Sequence, residues 1–302
     1  MVSPSIHAFF DEDSKTFSYL VGDPETRDAA VIDPVLDFDL VSGTVSTRSV
    51  QAILDFAAAQ DFRITMVLET HAHADHLSAA PFIKEKTGAW IGIGAHICAT
   101  QEIFRDRFAL RELQTDGSDF DRLFEDNDTF QLGNLSIQVM HVPGHTPADI
   151  AYVFDANAFI GDTLFMPDYG TARADFPGGD ARALYRSIRR ILSLPAETRL
   201  CLCHDYPGPN RAEPSWESSV AEQREGNIHL MAIANEEEFA AMRSERDKGL
   251  SPPKLLLPAI QVNIRAGRWP APDENGISYL KLPLRVSDQK TTAAMTSLEA
   301  QT

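Results

Sequence analysis

The stretch Glu69-Thr70-His71-Ala72-His73-Ala74-Asp75-His76 sets three imidazoles and a carboxylate close together in the chain. Imidazole and carboxylate together suit zinc, iron or manganese, and neutral histidines are good ligands. Three further donors lie downstream. His145 stands in Pro143-Gly144-His145-Thr146, Asp162 in Phe159-Ile160-Gly161-Asp162-Thr163, and His204 in Cys203-His204-Asp205-Tyr206. The plain alternative is a polar loop that happens to contain histidine. It leaves unexplained why five of the nine histidines, His71, His73, His76, His145 and His204, fit one site.

Each group follows an apolar run of strand character. Ile64 to Thr70 precedes the histidine cluster, Leu135 to Val142 precedes His145, Ala158 to Ile160 precedes Asp162, and Arg199 to Cys203 leads to His204. Loops at strand ends are where sheet scaffolds hold reactive groups. The expected arrangement is four strand ends delivering ligands to one rim. Ser18 to Val21 and Ala29 to Ile32 read as a hairpin around Gly22-Asp23-Pro24. Ser46 to Gln60 reads as a helix with Val50, Ile53, Leu54 and Ala57 on one face. Arg182 to Leu194 reads as another. Leu184, Ile188, Ile191 and Leu192 face inward, Arg182, Arg186, Arg189 and Arg190 face outward, Asp180 is the N-cap and Pro195 the stop. The acidic stretch from Asp116 to Asp128 reads as a solvated loop ahead of a Phe130–Leu132 hairpin.

Length and composition bound the rest. At 302 residues and 43% hydrophobic, the chain can hold one large domain with an appendage. No run has the length of a membrane span. The N-terminus lacks the basic and apolar parts of a signal peptide. Three cysteines, Cys98, Cys201 and Cys203, argue against a disulfide framework and for a reducing, cytoplasmic compartment. Cys201 and Cys203 read as small apolar residues of a buried strand, and a relay thiol at Cys203 is the sharper alternative. A net charge of -17 disfavours nucleic acid as a partner. After Pro214 the pattern turns helical, with Ser218 to Asn235 and Glu236 to Lys248 as two charged helices before Pro252-Pro253 and Pro258 interrupt. The expected organisation is a catalytic domain over 1–211, a C-terminal extension packed on it over 212–286, and a frayed polar tail over 287–302.

Taken together, His71-Ala72-His73-Ala74-Asp75-His76, Pro143-Gly144-His145-Thr146, Gly161-Asp162 and His204 resemble the metallo-β-lactamase superfamily. The resemblance covers roughly residues 5 to 210. It implies an α/β (α+β) fold, an αββα sandwich with metal at one edge of its two sheets and, here, a helical C-terminal extension. It also implies capacity for two metals, one held by His71, His73 and His145, the other by Asp75, His76 and His204, with Asp162 bridging. All of these positions are filled. The ligand inventory alone is therefore compatible with a two-metal thioester hydrolase resembling glyoxalase II, which would generate hydroxide between its ions.

Other segments resemble the persulfide dioxygenase branch. They are Asp168-Tyr169-Gly170-Thr171-Ala172-Arg173-Ala174-Asp175-Phe176-Pro177-Gly178-Gly179-Asp180, Cys203-His204-Asp205-Tyr206, and Gln261-Val262-Asn263-Ile264-Arg265-Ala266-Gly267-Arg268. That branch binds one Fe(II) through two histidines and one aspartate, which by motif are His71, His145 and Asp162. His73, Asp75, His76 and His204 then become orienting groups or a vacant second metal site, and zinc is the alternative metal. The implied reaction converts glutathione persulfide, O2 and water to glutathione and sulfite. Glutathione carries two carboxylates, so Arg173 and Arg265 are the candidate cations, with Tyr206 as a hydroxyl donor. Asp175 either orients Arg173 or touches substrate, and His141 is structural or orients a ligand. Family analogy implies a homodimer. A third function class, a metal-binding accessory protein without turnover, sits poorly with so full a ligand set.

Overall fold

The structure, a computed structural model, describes residues 3–208 and 211–284. The expected tail over 287–302 lies outside the described residues. Two six-stranded sheets face each other. The first contains β1 (Ser5–Asp11), β2 (Thr16–Gly22), β3 (Asp28–Ile32), β6 (Arg63–Leu68), β8 (Trp90–Gly94) and β9 (Arg122–Phe124), in that spatial order. The second runs β10 (Thr129–Leu132), β11 (Leu135–His141), β12 (Ile150–Phe154), β13 (Asn157–Phe159), β14 (Arg199–Cys201) and β15 (Glu217–Ser219). A small third sheet joins β5 (Thr44–Ser46), β4 (Val35–Asp39) and β7 (Leu77–Ser78).

The buried side chains fall into three layers, which explains why β2 and β3 are apolar on both faces. Val21, Ile32, Leu68, Val139, Tyr152 and Phe159 pack between the sheets. On the outer face of the first sheet, Leu20, Val31 and Val67 meet α1 (Arg48–Ala59) through Val50, Ile53 and Ala57, α2 (Ala80–Thr87) through Ile83, and α3 (Ile97–Phe108) through Phe104. On the outer face of the second sheet, Met140, Ala158 and Leu200 meet α4 (Ala181–Ile191) through Leu184, Ile188 and Ile191. The order helix, sheet, sheet, helix is the expected sandwich.

The expected hairpin, α1 and α4 are present. Asp180 caps α4 by accepting from Arg182 N and Ala183 N, a contribution of about 1 kcal/mol. Arg182 and Arg186 point outward and pair with Glu237 and Glu236 of α6 (Glu236–Asp247). Three readings need correction. The helix expected over Ser218–Asn235 shrinks to α5 (Val220–Gly226), because Ser218 and Ser219 lie in β15 and Asn227 is extended. The carboxamide of Asn227 donates to Gly170 O and to the Gln223 side chain, and this fixes the break. The second correction is a helix, α7 (Leu256–Asn263), in the segment read as interrupted by prolines. Pro258 sits in its first turn, where a backbone N–H would lack a helical partner. The acidic stretch also contains β9, anchored by Asp121, whose carboxylate accepts from Ile91 N. No described helix is long and apolar enough to cross a membrane.

Candidate metal centre

The four expected groups converge at one edge of the sandwich, each carried just past the end of β6, β11, β13 or β14. The sheets are tied together there. Phe17 N donates to Cys203 O and Ile150 N to Thr70 O, while the Tyr152 hydroxyl donates to Glu69 O.

Asp33, at the end of β3, shapes the start of the histidine loop. Its carboxylate accepts from Thr70 N at 2.7 Å and from the Thr70 hydroxyl at 2.9 Å, and it contacts His73 Nε2 at 2.9 Å. His73 Nδ1 is thereby left to point elsewhere. Thr70 Oγ1 lies 3.0 Å from His71 Nδ1, and His76 Nδ1 donates to Leu77 O at 2.9 Å. In each ring one nitrogen is engaged by the protein and the other is free, the arrangement that fixes a ligand's tautomer and orientation.

His145 is delivered by a tight turn. Gly144 has φ +142, and a Cβ there would lie 2.2 Å from Leu184 N, so only glycine lets the turn rest on the first turn of α4. Asp180 N donates to Gly144 O and the Ser187 hydroxyl to Pro143 O. His145 Nδ1 then donates to Arg173 O at 2.9 Å. Asp162 follows Gly161, whose φ of +50 and close approach to Thr70 Oγ1 again exclude a side chain. His204 Nδ1 lies 3.2 Å from Lys15 O, and its Nε2 is 3.3 Å from Asp162 Oδ1 and 3.6 Å from Asp75 Oδ2.

The donor atoms of His71, His145 and Asp162 all lie within 4.8 Å of one another, and those of His73, Asp75 and His76 form a second such group. Asp162 also groups with Cys203 and His204, and Asp33 with Glu69 and His73. His71 Nε2, His73 Nδ1, His76 Nε2 and Asp162 Oδ1 are buried without a hydrogen-bond partner. Each such atom would cost about 1–3 kcal/mol if left unsatisfied. His71 and Asp162 belong to one donor group and His73 and His76 to another, so the buried imidazole and carboxylate lone pairs fit a divalent cation at either group.

The electrostatics agree with that fit. Burial, reinforced by the neighbouring imidazoles, drives the His71 pKa well below its ordinary value. Burial, with the charge of His73, pushes His76 down to about 4. Both rings are therefore neutral, the form that ligates. Burial alone would raise Asp75, but His204, His76, His73 and the Thr16 hydroxyl outweigh it and keep it ionised. Burial also opposes charge on His73 and His204, yet Asp33 and Asp162 respectively prevail and raise both. Asp149 is raised to about 7 by burial despite hydrogen bonds from Thr146 N and the Thr146 hydroxyl.

The other expected residues divide. Tyr206 is half-buried beside the cluster. It stacks on His204 (ring centroids 5.9 Å) and on the exposed Tyr169 (4.6 Å). Arg173 lies over the Phe176 ring, which meets His145 edge-on, and its guanidinium forks onto Asp175 and reaches Ser251 O. Arg265 is placed elsewhere. It is buried, donating to Gln261 O and Glu112. His141 stacks on His96 and contacts Pro147 O, a structural position. Cys201 is buried between the sheets, and the buried Cys203 thiol lies 3.8 Å from Asp33. Among the described residues all three cysteines are free.

Sequence reasoning missed Asp33, Glu69 and Asn263. The signal for Asp33 was a lone acid after the apolar strand Ala29–Ile32. The buried Glu69 accepts from the Ser78 hydroxyl. Asn263 lies in the Gln261–Arg268 segment already singled out, but its partners are all far away in the chain and nothing local shows its role.

Residues 12–204 match the family described as the metallo-beta-lactamase superfamily. The chain belongs to this superfamily. Below that level its relatives carry different names. A probable metallo-hydrolase of Burkholderia pseudomallei is 50% identical over 93% of this chain and 99% of its own length. Glyoxylase B2 of Dictyostelium discoideum is 42% identical over 94% of this chain and 98% of its own. The human mitochondrial persulfide dioxygenase ETHE1 is 28% identical over 87% and 88%. Among solved structures, ETHE1 from Myxococcus xanthus superposes with a TM-score of 0.70 at 30% identity, covering 87% of this chain and all of that one.

Proposed function

We propose that this chain is a persulfide dioxygenase that converts glutathione persulfide, O2 and water to glutathione and sulfite at one Fe(II) per chain. The observation that carries this reading is the grouping of donors. His71, His145 and Asp162 form one compact face of two imidazoles and a carboxylate, the ligand type of non-haem Fe(II) oxygenases. His73 falls instead into groups with Asp75 and His76 and with Asp33 and Glu69. The likeness to the Myxococcus ETHE1 structure adds support. Iron(II) held there would supply the redox chemistry with oxygen that zinc lacks.

The chain's own residues then have defined tasks. Arg173 O and the Thr70 hydroxyl fix the rings of His145 and His71 with one nitrogen facing inward. His73, Asp75, His76 and His204 set the charge around that face. Arg173, at the edge of the site, is assigned to a glutathione carboxylate, and the Tyr206 hydroxyl to the peptide. Both guanidinium groups are paired within the protein, but Arg173 packs on the Phe176 ring that meets His145 whereas Arg265 is buried against Glu112 and Gln261 O, so the assignment favours Arg173. In the balanced reaction both atoms of O2 and one water oxygen end on the outer sulfur. The inner sulfur leaves as the thiol.

The second reading is a two-metal hydrolase. The group of His73, Asp75 and His76, with Asp162 reaching toward His204, favours it. So do the names of the Burkholderia and Dictyostelium relatives. Oxygen uptake by anaerobically iron-loaded protein given glutathione persulfide, with metal content measured on the same sample, separates the two. Uptake coupled to sulfite release at about one iron per chain supports the dioxygenase. No uptake together with two metals per chain and thioester cleavage overturns it.

A further inference from the structure

We propose that Asn263 is a positioning residue for the metal centre, holding the backbone of the histidine loop from the far end of the chain. Its carboxamide makes three bonds to that loop. Nδ2 donates to His73 O at 2.8 Å and to His76 O at 2.8 Å, and Oδ1 accepts from Ser78 N at 2.9 Å. The side chain is 3% exposed, so water does not substitute for these contacts.

The chemistry of the group narrows the choice of residue. A primary amide offers two N–H donors and one acceptor oxygen on a single plane, and all three functions are engaged. Aspartate has the same shape, but its ionised form has no donor and would face two carbonyl oxygens. The carbonyls concerned belong to His73 and His76, whose free ring nitrogens group with Asp75. Fixing both carbonyls fixes the separation and tilt of the two rings.

The amide is itself held in place. It ends α7, whose Ala259, Ile260 and Val262 are buried and which packs against β7 and α3. Beyond it, Gln101 of α3 donates to Ile264 O at 2.9 Å, and Arg265 reaches Glu112. Gly267, at φ +80, lies so near the loop that a Cβ there would sit 2.8 Å from Ser78 O. The buried Arg265 thus braces the turn that presents Asn263. This inference rests on the metal-centre reading but not on the dioxygenase reaction.

The test is Co(II) binding to the full-length apo-protein, measured anaerobically by chelator competition and visible absorption. Asn263→Asp is expected to weaken Co(II) binding by about tenfold or more, the scale for losing an orienting partner. The ligand-field bands of the bound ion should change while far-ultraviolet circular dichroism stays native. Arg268→Ala breaks only an exposed pair with Asp119 in the same segment and should leave affinity and spectrum unaltered. Asn263→Gln, which retains the amide, should recover part of the loss. A folded Asn263→Asp protein with wild-type affinity and spectrum overturns the proposal. If that variant does not fold, hydrogen exchange in the wild type decides. Slowly exchanging Asn263 carboxamide protons support the clamp, and rapid exchange overturns it. Wild-type protein that binds no Co(II) would instead remove the metal-centre reading, an outcome distinct from a null effect of the variant.

Discussion

His145 is held by the backbone of Arg173 rather than by its charge: the ring Nδ1 donates to the arginine carbonyl at 2.9 Å. The guanidinium points to Asp175 and Ser251 instead. One residue thus joins ligand orientation to the rim of the site, and the two roles can be separated experimentally. Arg173→Ala keeps the carbonyl and should keep the metal. It should raise KM for glutathione persulfide by about ten- to a hundredfold, as expected for losing a charge-assisted hydrogen bond of about 1.5–3 kcal/mol. An unchanged KM would leave the guanidinium with a bracing role only.

Asp162 reaches both His145 and His204, with Oδ2 3.6 Å from His145 Nε2 and Oδ1 3.3 Å from His204 Nε2. Asp162→Ala should yield folded protein with metal content and activity both reduced at least about tenfold. Elemental analysis of purified protein checks this, and full iron content would remove Asp162 from the ligand set.

The segment carrying Arg173 O is fixed by a buried ion pair on α6. Asp247 accepts from Ala174 N at 2.9 Å, and Arg243 reaches Thr171 O, both side chains being almost fully enclosed. Asp247→Ala strands the Arg243 charge and should cost about 3–5 kcal/mol. Denaturant unfolding measures the loss directly. A change below about 1 kcal/mol would show that the pair is not sequestered from water.

Asp23 predicts a pH dependence. It is fully buried at the hairpin turn and accepts from Glu25 N and Asn134 N. Burial raises its pKa, but the backbone hydrogen bonds prevail and the net shift is downward. A depressed folded-state pKa means that the stabilisation is present above the unfolded value of about 3.9. It is lost as pH falls through the lower folded value. Asp23→Asn should therefore flatten the acid limb of melting temperature against pH below about 4. An equally steep limb in the variant would assign acid sensitivity to other carboxylates.

The parts of this molecule written in local sequence were legible. The histidine cluster is contiguous, so its chemistry could be read without a fold. The α1 and α4 faces repeat at helical spacing, and Asp180 marks a helix start by residue type. The charged run after Ser218 has no such repeat. Its helix is cut at Asn227 by a hydrogen bond to Gly170, far earlier in the chain. The proline rule failed at α7 because Pro258 falls where a helix tolerates it. Asp33 and Asn263 act on loops 37 and 185–190 positions away, so the neighbours of either residue in sequence say nothing about its task.

Every candidate ligand is encoded before residue 205, within or next to the span shared with the superfamily. The hydrogen bonds to the carbonyls of His73 and His76 come from residue 263. A gene fragment chosen by chemical inventory would therefore encode all the donors yet omit the part that sets their spacing. During synthesis, too, the loop is assembled long before its clamp emerges from the ribosome. The complete centre becomes available only once residue 263 has been added.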